Sequence, residues 1–483
     1  MKRLLYIFLI SFFTLSLSSH PWKPSHYVII DTDGGIDDMR AITMLLASPD
    51  VRVLGITVSP GVLSTTNAYK KVRSLLNLFY HEGVPVGRDV LNNYKPEEFQ
   101  FALKTIWGNE NGIDVNDGPD NIGLIREILS AEKTKISFIC LGSMTTAYQA
   151  LNSVPAFRQQ VKDVIWSADG TGDKSGFNYN IDKNASAGIM KQEIPVKIVR
   201  SLGPTVTEFY NEQLIGTIKT INNVYAKMIS AFFSTDGVAN HEYSYSGTDE
   251  MAAIFLHYPD LFVNKTSGNI SESSPADPEE IRKNLLRILK GETVARNQVI
   301  RELPVTPGFY FDDINPSVKE IVDKYGLDEW TSCVLANELH RHLGTFAVIG
   351  VKMGIRAREY FNTGVDEFKA ISYAGSTPPL SCMNDGLQVS TGATPGHGLL
   401  TVRNDTILSA SAEFTYMNRK ISLTLKPEIA QKIVSELKEI NFIYGLDSNI
   451  YWELVRKNTI KYWLELDRHE IFEIYPHPPR VGL

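Results

Sequence analysis

Residues 27–38 constrain the fold of this chain more than any other stretch, because they place four carboxylates within eight residues, at 31, 33, 37 and 38. The run 28–30 is apolar and β-branched, which is typical of a buried strand. Two glycines interrupt it, and apolar residues then recur at helical spacing up to Ser48. The pattern predicts the first βα unit of a parallel sheet, with its acids at the strand's carboxyl end, where open α/β sheets bind ligands.

Four carboxylates this close together favour a bound cation, because like charges raise one another's pKa and cannot all stay ionised alone. The donors in the run are oxygen atoms, which suit Ca²⁺ or Mg²⁺ better than zinc. A purely structural role, in which Asp37 and Asp38 complement a helix N-terminus, explains only two of the acids. It does not explain Asp31 and Asp33, so the sequence favours a metal site.

This run resembles the N-terminal signature of the inosine-uridine-preferring nucleoside hydrolases, Asp-x-Asp-x-Gly-x-Asp-Asp, which stands here as Asp31-Thr-Asp-Gly-Gly-Ile-Asp-Asp38. The resemblance continues to about residue 325. It implies a Ca²⁺ ion that binds the nucleophilic water and the ribose hydroxyls. By the same resemblance Asp33 is a metal ligand and the catalytic base, Asp38 is a second ligand, and Asp37 binds a sugar hydroxyl.

Further along the chain, the resemblance makes the carbonyl of Leu141 and the carboxylate of Asp249 the remaining calcium ligands, and Asn178 a ribose-binding residue. Two positions depart from the family pattern. Gly176 stands where the family has a ribose-binding Glu, and Thr248 replaces the His that assists the leaving base. The resemblance implies a nucleoside or related riboside as substrate. The leaving-group site is expected to be altered, because a threonine hydroxyl does not donate a proton near neutral pH.

Strands and helices alternate through the first 325 residues, which predicts an α/β fold with a doubly wound, mostly parallel sheet. Strands are predicted at 28–30, 51–58, 83–87, 136–141 and 164–169, and helices at 65–81 and 121–131. Residues 92–120 are rich in Gly, Asn and Asp and are predicted to form a loop. We assign 26–325 to the nucleoside hydrolase-like domain and 326–483 to a smaller α+β domain with a helical tail.

The second domain is similar to the E-subunit family of formylmethanofuran dehydrogenases over about 326–420. The similarity lies in His340-Arg-His-Leu before a helix, then Cys-x-x-Asp-x-x-Gln from Cys382, then Thr-Gly-x-Thr-x-Gly before His397. His340, His342, Cys382 and His397 are nitrogen and sulfur donors of the kind that hold Zn²⁺ or another transition metal. The family has Cys where this chain has Gly344 and again at Ala393. Taken singly, each His could equally be an ordinary hydrogen-bonded residue.

Residues 1–20 are predicted to be a secretory signal peptide, because a basic start is followed by a short apolar core and small residues. The core is too short to span a membrane comfortably, so the mature protein is expected to be exported, periplasmic or secreted, without a stable membrane span. The net charge of −7 argues against a general nucleic-acid binder. Three cysteines give no disulfide framework. Homo-oligomerisation is left open.

Three functions are compatible with these residues. The first is Ca²⁺-dependent hydrolysis of an N-glycosidic bond, with Trp166, Asp173 or His257 as unranked candidates for assisting the leaving base. The second is a non-catalytic sugar- or nucleoside-binding protein, which the missing Glu and His favour. The third places the chemistry at a transition metal in the C-terminal domain.

Overall fold

The computed structural model describes residues 23–90, 96–168, 176–202, 209–235, 237–238, 244–294, 299–300, 302–306 and 308–477. The predicted signal peptide and Asp173 lie outside these residues. None of the described helices is long and apolar enough to cross a membrane.

An eight-stranded sheet forms the centre of the N-terminal half. Its strands are β1 His26–Thr32, β2 Val51–Val58, β3 Val86–Arg88, β4 Ile136–Cys140, β5 Val161–Ser167, β6 Val196–Val199, β7 Phe262–Ser267 and β8 Ile270–Pro275. Their order is β3-β2-β1-β4-β5-β6-β8-β7, and all neighbours are parallel except the antiparallel pair β7–β8. Every residue of β2 is buried, as expected for a strand covered on both faces by helices.

Twelve α-helices accompany this sheet within the described part of the chain. They are α1 Ile36–Ala47, α2 Thr65–Leu78, α3 Gln100–Lys104, α4 Asn121–Ala131, α5 Thr145–Ser153, α6 Pro155–Gln160, α7 Phe177–Ile181, α8 Lys183–Ile189, α9 Glu212–Lys219, α10 Val224–Phe232, α11 Glu250–His257 and α12 Pro278–Leu289. Several begin at side-chain caps: Asp120 accepts from the backbone N–H of Gly123 at α4, for example, which satisfies a donor that the helix leaves free.

The smaller C-terminal sheet has the order β10-β9-β11-β12-β13 and packs against helices. Its strands are β9 Lys369–Ser372, β10 Leu400–Val402, β11 Ser411–Tyr416, β12 Arg419–Leu425 and β13 Phe472–His477. The helices are α13 Asn315–His340, α14 Thr345–Phe361, α15 Met383–Thr391, α16 Pro427–Tyr444 and α17 Asn449–Glu465.

The doubly wound, mostly parallel sheet and the smaller α+β domain are therefore as the sequence predicts. The strand 51–58 and the helix 121–131 have the predicted bounds. Three local features differ: the predicted loop 92–120 contains the short helix α3, and neither strand β6 nor the antiparallel hairpin β7–β8 has a counterpart among the predicted strands.

Helix α13 crosses the predicted domain boundary and is kinked at Gly326, whose φ of 87° and ψ of 167° are not helical. The two halves also contact each other through side chains. The guanidinium of Arg52 on β2 is paired with Glu367, Arg356 on α14 donates to Glu82 over 2.6 Å, and the His81 ring bonds the Glu359 carbonyl. These partners are buried or half-buried, so the junction is a packed polar interface.

Candidate active site and candidate metal cluster

The carboxyl ends of β1 and β4 lie side by side where the strand order of the large sheet reverses, with β2 and β3 on one side and β5 and β6 on the other. This is the position at which doubly wound sheets bind ligands. The backbone joins the two strand ends, because the N–H of Leu141 donates to the Asp31 carbonyl over 2.9 Å. Asp33 and Leu141, which are 108 positions apart in the chain, are thereby placed at one edge.

Three carboxylates converge above this edge. Asp37 and Asp38 lie in the first turn of α1, and Asp249 immediately precedes α11; each offers an oxygen, and the three oxygens lie within 4.8 Å of one another. Helix α1 packs directly on α11. Since both helices begin at this edge, the packing brings the predicted ligands Asp38 and Asp249 together and adds Asp37 to them.

Asp38 is fixed by hydrogen bonds from the β1 end. Its Oδ1 accepts from the Thr32 hydroxyl over 2.6 Å and from the Asp33 backbone N–H over 3.1 Å. Burial, followed by the charge of Asp37, raises the pKa of Asp38 to about 6. Burial, followed by the charges of Asp37 and Asp38, raises the pKa of Asp249 as well. A bound cation would stabilise such a cluster, because it offsets the free-energy cost of burying like charges next to one another.

Asp33 is 1% exposed, and its carboxylate oxygens make no hydrogen bond of normal geometry with the described residues, although the backbone N–H groups of Val62 and Gly35 lie near enough to lower its pKa. Its oxygens do not belong to the group formed by the other three acids. Instead the side chain lies against Gly61, where an added Cβ would collide with Oδ2. Burial and the charges of Asp38 and Asp37, in that order, raise the pKa of Asp33. A buried carboxylate without a well-formed hydrogen bond is suited to binding a ligand.

Asp31 differs from the other acids of the run. Its two oxygens accept from the Thr57 hydroxyl over 2.6 Å and the Ser59 hydroxyl over 2.8 Å. Burial raises the pKa of Asp31 to about 7, against the opposite effect of these hydrogen bonds. Asp31 therefore joins β1 to β2, a role that the sequence pattern did not reveal because Thr57 and Ser59 look like ordinary strand-end residues.

Asn178 and the Leu141 carbonyl are in contact. The Asn178 amide donates to that carbonyl over 2.7 Å and to the Ser167 carbonyl over 3.2 Å. The indole N–H of Trp166 donates to the Gly142 carbonyl over 3.0 Å. These hydrogen bonds hold the ends of β4 and β5 and the start of α7 together. Asn178 therefore lies at the carboxyl edge of the large sheet.

Thr248 contacts Asp37 directly, since its hydroxyl donates to Oδ2 of that carboxylate. The backbone N–H of Thr248 donates to Glu250 over 3.0 Å. His257 lies at the other end of α11, where its ring bonds Ser48 over 2.8 Å at the C-terminus of α1. An eight-residue helix is about 12 Å long, so His257 is not a candidate for assisting the leaving base.

A buried ion pair that the sequence analysis missed joins the two helices that carry the acid cluster. Arg40 on α1 and Glu250 on α11 are both 0% exposed, and the Arg40 Nε donates to Glu250 Oε1 over 2.5 Å. The same guanidinium donates to the carbonyls of Ser244 and Ser246 over 2.8 and 3.1 Å. The sequence feature that could have revealed this ion pair is a charged residue on the buried side of α1, two positions after Asp38.

A cavity of about 430 Å³ lies next to Gly61. The described residues that line it are Gly61, Pro96, Glu97, Glu98, Phe99 and Phe177. The rings of Phe99 and Phe177 meet edge to face with their centroids 5.5 Å apart. Of the lining residues, Gly61 contacts Asp33, which is itself buried and is not among the described residues that line the cavity.

In the C-terminal half, His340 and His342 lie together with ring centroids 4.1 Å apart. Nδ1 of His340 is bonded to Asp385 over 2.7 Å, and its Nε2 is buried without a partner among the described residues. The Nε2 atoms of both rings approach the same point: a Cβ added to Gly344 would lie 3.1 Å from one and 3.5 Å from the other. The two rings are therefore poised to share one ligand.

The four predicted transition-metal donors are not all brought together. Cys382 lies at the N-terminal end of α15, next to the turn that carries Asp385. His397 follows the other end, where its Nδ1 is bonded to the Gly392 carbonyl over 3.0 Å. Within the part of the chain that the structure describes, Asp37, Asp38 and Asp249 form the one group of three or more convergent metal donors.

The two halves match two different protein families. The family model described as inosine-uridine preferring nucleoside hydrolase matches residues 28–318, and that described as FmdE, molybdenum formylmethanofuran dehydrogenase operon, matches residues 339–472. The chain is 26% identical to the pyrimidine-specific ribonucleoside hydrolase RihA of Salmonella arizonae over 183 residues, which are 35% of this chain and 58% of that protein. It is 28% identical to a probable uridine nucleosidase 2 of Arabidopsis thaliana over 190 residues, 37% and 57% of the two chains.

The chain thus spans somewhat more than half the length of these curated relatives. Among solved structures, it is similar to an inosine-uridine preferring nucleoside hydrolase from Bacillus anthracis, with 16% identity and a TM-score of 0.44 over 55% of this chain and 99% of that one. A plant nucleoside hydrolase gives 18% identity and a TM-score of 0.47, covering 56% and 99%.

Proposed function

Because this chain belongs to the inosine-uridine preferring nucleoside hydrolase family, whose model matches residues 28–318, we propose that it hydrolyses the N-glycosidic bond of nucleosides or related ribosides. The observation that carries the proposal is the buried Asp33 carboxylate, which makes no hydrogen bond of normal geometry with the described residues and lies outside the group of three convergent carboxylates whose charges raise its pKa. A sugar- or nucleoside-binding protein without turnover is the alternative, and hydrolysis of a riboside by the purified protein distinguishes the two.

The residues present fit a Ca²⁺ ion. Asp37, Asp38 and Asp249 supply oxygen donors from two helix ends, and the Leu141 carbonyl and Asp33 lie at the adjoining strand ends. Oxygen-only donors with carboxylates in excess match calcium rather than zinc. When bound, the ion would lower the pKa of a coordinated water and hold sugar hydroxyls. We propose Asp33, Asp38, Asp249 and the Leu141 carbonyl as its ligands.

Asp33 would accept the proton of the attacking water, since its oxygens make no hydrogen bond of normal geometry with the described residues. Asp37 and Asn178 would orient the sugar by binding its hydroxyls. Burial raises the pKa of Asp33, which makes its ionised form a stronger base than an exposed carboxylate. As the water attacks, the sugar passes through an oxocarbenium-like transition state, which the surrounding carboxylates stabilise.

The leaving-group side of the site is altered in this proposal. The Thr248 hydroxyl donates a hydrogen bond to Asp37, and Gly176 has no side chain. Loss of one hydrogen bond to a developing charge costs on the order of 10²-fold in rate, so inosine and uridine are expected to be poor substrates. Robust turnover of either nucleoside would contradict this part of the proposal.

The direct test is a screen of ribosides and other glycosides with and without Ca²⁺, read by release of reducing sugar. Calcium-dependent release from a riboside is expected. Calorimetry should show Ca²⁺ binding to the wild type and its loss in Asp38→Ala, because Asp38 joins the strand end to the other acids. Absence of Ca²⁺ binding, or unchanged binding in the variant, would overturn the metal assignment.

We also propose that the C-terminal half binds Zn²⁺ or a similar transition metal through Nε2 of His340 and His342. The contact between His340 Nδ1 and Asp385 supports this, because a carboxylate that accepts from one ring nitrogen leaves the other as a lone-pair donor. Elemental analysis of wild type and His340→Ala, after dialysis against Ca²⁺ alone, tests it. Equal metal content in the two proteins would refute the site.

Export to the periplasm or the medium remains a proposal that rests on the basic and apolar start of residues 1–20. N-terminal sequencing of the protein recovered from a secreting host tests it, since cleavage near residue 20 is expected.

A further inference from the structure

The turn between α16 and α17 exposes a cluster of large apolar side chains. The two helices run antiparallel, since Glu436 on α16 accepts from the Tyr462 hydroxyl over 2.7 Å and from the Asn458 amide over 3.4 Å, both on α17. Residues 442–452 therefore form the tip of a helical hairpin. The apolar side chains of this hairpin tip, each between 43% and 91% exposed, are Phe442, Ile443, Tyr444, Leu446, Ile450 and Trp452.

The hairpin tip is held in a defined geometry. The indole N–H of Trp452 donates to the Leu446 carbonyl over 3.0 Å, which joins the start of α17 to the turn. The Trp452 ring also packs edge to face on His342, with ring centroids 5.1 Å apart, and the neighbouring Tyr451 is buried. A surface that is already ordered costs less conformational entropy when a partner binds to it.

The exposed area is large enough for a protein interface. Because one aromatic side chain offers about 150–250 Å², the six side chains expose on the order of 600 Å² together. This is at the upper end of the apolar patches of roughly 300–600 Å² that monomers carry. Two such surfaces face to face would bury about 1,200 Å², the lower bound for a specific protein interface.

The charges around the hairpin tip favour a second copy of the chain over a membrane or a strongly charged partner. The exposed charged residues that flank the apolar cluster are Lys438 and Glu439 on α16 and Glu453 and Lys457 on α17. Each helix thus presents one charge of each sign, so the same surface on another copy can pair with it. Anionic membrane surfaces instead attract clusters of Lys and Arg.

We propose that the chain forms a two-fold symmetric homodimer through the hairpin tip of residues 442–452. In a two-fold contact the same patch meets itself, so the apolar cluster of one copy covers that of the other and the contact closes at two copies. Since Trp452 contacts His342, the interface borders the histidine pair. The inference is independent of the proposed hydrolase function.

Sedimentation equilibrium of the full chain tests the dimer. With an interface at the lower end of the size range, we expect a monomer–dimer equilibrium with a Kd on the order of micromolar. A protein that remains monomeric at about a hundred times that concentration would overturn the proposal.

Phe442→Glu places a carboxylate in the apolar interface of both copies and should raise the dimer Kd by roughly 10²-fold or more. Phe442 is 91% exposed in the single chain, so the substitution should leave the denaturant midpoint unchanged. Ile407→Glu is the matched control, since Ile407 is 92% exposed in the same half but outside the hairpin tip. A dimer that persists in Phe442→Glu, or one that is lost equally in both variants, would refute the interface.

Amide hydrogen exchange of the wild type locates the contact without any substitution. Exchange in residues 438–457 should be slower above the dimer Kd than below it, whereas the segment around Ile407 should not change. Equal exchange of the hairpin tip at both concentrations would place the interface elsewhere. Flotation with phosphatidylethanolamine and phosphatidylglycerol vesicles tests the other occupant, and a monomeric wild type that floats while Phe442→Glu does not would replace the dimer with a membrane contact.

Discussion

The acid cluster of the N-terminal half and the histidine pair of the C-terminal half are both candidate metal sites, but the fold assembles them differently. Asp37 and Asp38 are adjacent in sequence and are completed by Asp249, because two packed helices begin at the same sheet edge. His340 and His342 also come from one short segment, but His397 lies at the far end of α15. Local sequence spacing thus predicted the close donors in both regions, and the packing of distant elements decided which others joined them.

The largest expected effect is on catalysis in the N-terminal half. Asp33→Asn should lower kcat for 4-nitrophenyl riboside by roughly 10³-fold, because the amide cannot accept the proton of the attacking water. The transition-metal content of the C-terminal half should be unchanged if the two sites are independent. Steady-state kinetics and elemental analysis measure both, and a loss of less than about tenfold would remove Asp33 from the role of base.

The second prediction compares the buried ion pairs of the two regions. Arg40–Glu250 and Lys352–Glu329 are each 0% exposed on both sides. Removing one charge leaves the other buried and unpaired, so Glu250→Gln and Glu329→Gln should each lower the free energy of unfolding by about 3–5 kcal/mol. Denaturant titration measures this loss.

The same two variants should differ in calcium affinity. Glu250→Gln should weaken Ca²⁺ binding, since Glu250 lies next to Asp249 and joins α11 to α1 through Arg40. Glu329→Gln, the matched control in the other half, should leave it unchanged. Calorimetry at a temperature where both variants are folded decides, and equal affinity in the two would show that the Arg40 pair does not position the acids.

The third prediction concerns pH. Burial lowers the pKa of His81 to about 4, whereas an unfolded histidine titrates near 6.5. Between these values the unfolded chain binds a proton that the folded chain does not, so stability should fall by a few kcal/mol as pH decreases from about 6.5 to about 4. His81→Asn should reduce this dependence, as measured by urea unfolding across the pH range.

His469 in the C-terminal half provides the contrast. Burial lowers its pKa, but hydrogen bonds with Asp467 and Glu359 prevail and raise it above the ordinary value. The stability that it contributes is present below about pH 6.5 and is lost as pH rises through the raised pKa. His469→Asn should therefore alter the alkaline side of the profile, and an effect confined to the acid side would contradict the assignment.

The smallest expected effect is that of Cys382→Ser on transition-metal content. No group of three convergent donors in the described C-terminal half includes its sulfur, whereas His340 and His342 share a common approach point. The serine variant should retain most of the metal that His340→Ala loses. Elemental analysis of both variants checks this, and equal losses would place Cys382 among the ligands.

Much of the fold was predictable because its signals are local. The β-branched run at 28–30, the glycine turn and the helical spacing after it predicted the first βα unit, and β2 and α4 have the expected bounds. The hairpin β7–β8 was missed, since its residues are mostly half-buried or exposed and give little apolar pattern. The role of Asp31 was also hidden, because it depends on hydroxyls from the neighbouring strand.

The sequence by itself determined the donor type of each candidate site: oxygen donors at the end of β1 and nitrogen donors before α14. It could do so because donor type is a property of single residues and short spacings. Only the tertiary structure decided that Asp33 lies apart from the three convergent acids, that Arg40 and Glu250 join the two helices, and that Phe99 meets Phe177 over the cavity. The two side-chain contacts join residues 78 and 210 positions apart, and their geometry follows from how sheet and helices pack, which no local pattern encodes.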